Sequence, residues 1–129
     1  MKFLMLIHNN LEALEGLTED QLEELSGGRE QIATVARELL QTGELVTVLT
    51  LTEPAETKDL QLVAGTPVVS DRPLLETKEF LAGALVVDCA TPQRALELAA
   101  LIPLVKYRRV EIREIRFDHD EFLAQLDQL

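Results

Sequence analysis

Six kinds of residue in this chain could do chemistry: Asp, Glu, Arg, Lys, His and Cys. The stretch from Val69 to Glu79 gathers Asp71, Arg72, Glu76, Lys78 and Glu79 within a few positions. His8 stands at the end of an apolar run. A carboxylate beside an imidazole orients the ring and favours its protonated form, which is the arrangement acid–base catalysis needs. His8 and Asp71 are therefore the acid–base candidates. Each also has a plain structural reading: a solvated histidine at a strand end, and an aspartate bonding backbone amides at a turn.

Glu111 and Arg113 are two apart, so a strand puts both on one face. There they could line a pocket, with Arg113 gripping an anion through its fork of donors. An ion pair along a strand is the competing reading. Lys78 is a further candidate anion contact, or half of a solvated pair with Glu76. Cys89 is the only cysteine. No cationic neighbour in sequence would activate it, so it reads as a buried thiol. Asp118, His119 and Asp120 are consecutive and cannot converge well on one metal, and Asp118 reads as a helix cap. No metal and no cofactor are expected. Walker, dinucleotide-binding and nucleophile-elbow patterns are missing from the sequence.

Composition narrows the partners. Twelve basic against 23 acidic residues give a net charge of −11. Nucleic acid and anionic membranes both call for a basic surface, so neither is expected. There are four Phe, one Tyr and no Trp, too few for stacking platforms. The Phe3 to Ile7 run is too short to span a bilayer. A cytoplasmic protein is the resulting expectation. With 129 residues, 47% of them hydrophobic, the chain suits one domain.

The elements that must position these residues follow from patterning. Met1 to His8 reads as a strand seeking burial on both faces, ended by Asn9 and Asn10. Thr18 and Gln21 form a capping-box pattern before a helix. Gly27 and Gly28 are its weak point, and Gly43 its stop. Leu45 to Leu51 is a β-branched strand. Leu60 to Val63 and Pro67 to Val69 flank a turn and suggest a hairpin. Asp71 to Glu79 reads as a loop or a single helical turn. Phe80 to Asp88 reads as a central strand. Thr91 and Pro92 start a second helix, which Pro103 ends. Arg109 to Arg116 alternates as a strand. Asp118 caps a short amphipathic tail helix.

Apart from the hairpin, this order is the α+β, ferredoxin-like β-α-β-β-α-β unit. Two helices cover one face of such a sheet, yet three strands look apolar on both. A second copy of the chain is the simplest cover for the other face. A homodimer through sheet faces, enclosing a shared interior, is therefore expected.

The segment Asp71-Arg-Pro-Leu-Leu-Glu-Thr-Lys-Glu79 resembles the Asp-Gly-Pro-Phe-x-Glu-Thr-Lys-Glu signature of the DGPF branch of the YCII-related family. Met1 to Ile7, Ala36 to Gly43, Gly83 to Asp88 with Ala95 to Ala99, and Val110 to Arg113 resemble that family's other segments in order. The resemblance covers residues 1–116 and leaves 117–129 as a tail. It implies a dimeric α+β barrel with a small-molecule cavity in each subunit or near the dimer interface. It implies enzymatic activity resting on a histidine and an aspartate, and in some members an association with extracytoplasmic-function sigma factors. Here Arg72 replaces the motif glycine and Leu74 the phenylalanine. Gln31 or Ile32 stands where the first helix often carries the histidine, which leaves His8 as the substitute.

The functional expectation is a small-molecule-binding protein, taking a small anionic ligand, with weak acid–base activity. The alternative is a non-catalytic interaction or regulatory module.

Overall fold

The computed structural model describes residues 1–10, 12, 15–71, 79–101 and 108–129, with the side chains of 23–29 and 31 outside that description. The architecture is mixed α+β. Strand β1 runs Lys2–Asn10. The strand continues through Asn9 and Asn10, the residues expected from sequence to end it. Both pair with β5 (Glu79–Asp88), and Asn9 also pairs with Arg108 of β6 (Arg108–Glu114). Asparagine is a poor strand former, but ladder bonds on both sides outweigh a propensity spanning only about 1 kcal/mol.

Helix α1 spans Glu19–Thr42. At its start, the Thr18 hydroxyl accepts from the Gln21 amide at 3.3 Å, and the Gln21 side chain accepts from the Thr18 amide at 2.8 Å. The helix runs through Gly27 and Gly28 unbroken. Two interior glycines cost about 2 kcal/mol together, which a long helix capped at both ends absorbs. Gly43 ends it with φ 81°, the left-handed conformation, and its amide donates to the Leu40 carbonyl.

Strand β2 (Leu45–Thr50) leads through one 3-10 turn at Pro54–Glu56 to the hairpin β3 (Asp59–Val63) and β4 (Thr66–Ser70). Ala64 and Gly65 turn the hairpin with φ of 50° and 83°. Positive φ at both positions matches the twist of the flanking strands. Residues 72–78 between β4 and β5 lie outside the described residues, and so does Lys78. Helix α2 (Pro92–Ala100) is capped by Thr91, whose hydroxyl accepts from the Arg94 amide. Helix α3 (His119–Leu126) is capped by Asp118, which accepts from the Glu121 amide at 2.9 Å.

The main sheet is ordered β2-β5-β1-β6, with every neighbouring pair antiparallel. The hairpin forms a separate two-stranded sheet. Phe3, Met5 and Val87 are buried on one face of the main sheet, against Ala95, Leu98 and Ala99 of α2 and Leu39 of α1. Leu85, Val110 and Ile112 pack on that same core. The opposite face carries Leu4, Leu6, Ala84, Val86 and Leu49, which face one another across the strands. Neither α1 nor α2 covers this open face.

Candidate functional site

Alternation along β1 and β6 builds the open face's polar margin. Leu4 pairs with Arg113, Leu6 with Glu111 and His8 with Arg109. Side chains of paired residues share a face, so the two leucines of β1 lie beside a charged stripe on β6. His8 reaches Glu111 diagonally, with Nε2 2.7 Å from Oε1. That is ion-pair distance, but the ring N–H is not aimed along the line, and Nε2 has no linear hydrogen bond. The imidazole is four-fifths buried, while Glu111 is half-exposed.

Arg109 donates to Glu79 at 2.9 Å, bridging β6 to the start of β5. Arg113 makes no ion pair among the described residues, and its exposed guanidinium shares the face with His8 and Glu111. Asp71 closes the base of the hairpin instead. Its carboxylate accepts from Lys58 at 2.5 Å, and both side chains are mostly exposed. The structure thus brings His8, Glu111 and Arg113 onto one face, and it gives Asp71 to Lys58.

The remaining candidates have structural partners. Cys89 is buried, and its thiol lies 3.4 Å from the Thr91 carbonyl. Asp118 holds Lys2 at 2.7 Å besides capping α3. The Lys2 hydrogen bond, helped by the Glu121 amide, holds its carboxyl below the usual aspartate value. Arg94 grips Glu44 through Nε and Nη2, at 2.8 and 2.9 Å. This bidentate contact draws the Glu44 pKa down and the Arg94 pKa up. No group of three or more metal-binding side chains occurs among the described residues.

Two polar residues that sequence reasoning passed over sit on the helix-covered face. Asn9 is 9% exposed and its Oδ1 is buried without a hydrogen bond. Its cross-strand neighbour Arg108 has a buried Nε in the same condition. The signal was present: Met5, Ile7 and Asn9 alternate along β1, so Asn9 points where Met5 is buried.

Fold and face together define a small α+β protein with one sheet surface left open and an imidazole–carboxylate pair on its margin. The chain belongs to the YCII-related domain family, whose sequence model matches residues 1–118. It is also similar to an uncharacterized protein, R00369, of Rhizobium meliloti (strain 1021). The two are 35% identical over 68 residues, a stretch that is 53% of this chain and 55% of the relative. The match thus spans about half the length of that relative. No helix among the described residues is long and apolar enough to cross a membrane.

Proposed function

We propose that the chain is a DGPF-type member of its family, with a ferredoxin-like protomer that pairs sheet to sheet in a dimeric α+β barrel. In this reading it binds a small anionic molecule in the cavity enclosed near the dimer interface. His8 and Glu111 exchange protons with that molecule, and Arg113 holds its negative group. Asp71, held by Lys58 at the base of the hairpin, and Lys78, which lies outside the described residues, complete the proposed set of site residues. One observation carries the proposal: the His8–Glu111 contact lies beside Leu4 and Leu6 on a face that neither α1 nor α2 covers. The strand order β2-β5-β1-β6 supports the ferredoxin-like assignment.

A panel of small carboxylates and phosphates, read by thermal shift against wild type, Arg113→Ala and His8→Ala, tests the site. Stabilisation of wild type by a panel member, lost in Arg113→Ala, is the expected outcome. Equal shifts in wild type and Arg113→Ala refute the anion contact.

The second reading, a non-catalytic interaction module, draws on α3. Phe122, Leu123 and Leu126 are 45–48% exposed on that short helix. Sigma-factor-dependent transcription is one setting for such a module. Its test is a pull-down with the double variant Phe122→Ser/Leu126→Ser. A partner lost only in that variant favours the module, and an unchanged set of partners removes any role for the tail.

A further inference from the structure

Two cavities adjoin the orphaned polar atoms of the helix-covered face: Asn9 lines one of them and Arg108 lines both. One is lined by Asn9, Phe80, Gly83 and the chain from Thr50 to Glu53. The other runs under α1 between Ile32, Val35, Leu39, Val48, Leu85 and Leu98. Each holds about 270 Å³, and they share Ile7, Val48, Thr50 and Arg108. Arg108 therefore belongs to both a polar mouth and an apolar channel.

A buried polar group without a partner costs about 1–3 kcal/mol. Here an acceptor, Asn9 Oδ1, and a donor, Arg108 Nε, are both unpaired at one pair of neighbouring strand positions. They do not bond each other. Burial also pushes the Arg108 pKa down, the sign of a cation without a compensating charge. A guanidinium excludes a metal ion and calls for an anion. Glu53 at the mouth opposes a second negative charge. A carboxylate satisfies Arg108 but has no proton for Asn9 Oδ1, whereas a hydroxyl on the adjacent carbon supplies one.

We propose that this cleft binds an aliphatic 2-hydroxycarboxylate. Its carboxylate meets Arg108, its hydroxyl donates to Asn9 Oδ1, and its chain lies in the channel between α1 and the sheet. The head contacts lie on the helix-covered side of the sheet, away from His8, Glu111 and Arg113 on the open face.

Titration calorimetry of the full chain with 2-hydroxyoctanoate, octanoate and 1,2-octanediol tests each contact. The hydroxy acid is expected to bind at least about tenfold more tightly than the diol, which lacks the anion. Octanoate, lacking the hydroxyl, should bind about three- to tenfold more weakly than the hydroxy acid. Arg108→Met should abolish the preference for the acid over the diol. Ala36→Met, on the helix wall of the channel, should weaken binding of the hydroxy acid by crowding its chain while leaving the head contacts intact. Circular dichroism establishes that each variant is folded, and if Arg108→Met is not, the acid–diol comparison on wild type decides. Three results overturn the site: no heat from wild type at millimolar hydroxy acid, equal affinity for acid and diol, or binding that survives Arg108→Met and disappears in Arg113→Ala. The last would move the ligand to the open face.

Discussion

Single side chains in this protein are held by partners far away in sequence, and Lys2 with Asp118 is the clearest case. Lys2 opens β1, and Asp118 caps α3 near the other end of the chain. The same carboxylate serves Lys2 and the Glu121 amide, so its ionised form is favoured twice over. The sign of the pH dependence follows. A carboxyl whose pKa is depressed by folding contributes stability above its unfolded value, and that contribution is lost as pH falls through the folded value. The ordinary value is 3.8. The attachment of α3 should therefore be complete at neutral pH and loosen only once pH falls below about 3.8. Lys2 is shifted upward from 10.5, so the same attachment should weaken above that value as the amine loses its proton. Exchange of the Glu121 amide measures both edges. Asp118→Asn should show faster exchange already at neutral pH, and unchanged protection would contradict the tether.

Among the elements, the contact of β2 with β5 turns on Gly83. A Cβ at this position would stand 2.6 Å from the Leu49 carbonyl oxygen, which is backbone and cannot swing away. Gly83→Ala must push β2 outward or bend β5, at a cost of about 1–3 kcal/mol, typical of overpacking. Urea unfolding checks this, and a loss below about 0.5 kcal/mol, the range of neutral surface changes, would mean that the strands part freely. The elements themselves were largely legible in the chain. Thr18 with Gln21, Gly43, Thr91 and Asp118 are local signals, and each caps its helix as its residue type demands. Alternation also placed Glu111 and Arg113 on one face of β6, and His8 with Leu4 and Leu6. What neighbour-to-neighbour patterns cannot carry is register between distant strands. Glu111 lies diagonal to His8 because β1 and β6 pair as they do, across about a hundred residues. That pairing is set by the packing of the whole sheet. Arg108 is hidden from local pattern for the same reason: it becomes a buried polar group only once β6 lies beside β1.

At the scale of the whole molecule, the two faces of the main sheet are unequal, and the inequality bears on assembly. One face is sealed by α1 and α2 around Met5 and Val87, which are 0% and 1% exposed. The other presents Leu4, Leu6 and Val86 only half-buried, with Leu49 and Leu81 more open still. A contiguous apolar surface on a monomer is a mark of association. The excess of 11 negative charges keeps encounters between copies weak unless apolar burial outweighs the repulsion. Pairing through the open faces would supply that burial while leaving the acidic helices outward. Leu6 is the decisive position, since it lies in an interior strand beside Glu111. A carboxylate placed there meets Glu111 on the neighbouring strand, and in a dimer paired through this face it would be buried. Leu6→Glu is expected to weaken self-association about a hundredfold or more, equivalent to about 3 kcal/mol. Sedimentation equilibrium at micromolar concentration should then find a dimer for wild type and a monomer for the variant, with far-ultraviolet dichroism unchanged. A wild-type chain that sediments as a monomer would dismiss sheet-to-sheet pairing and leave the His8–Glu111 pair facing solvent.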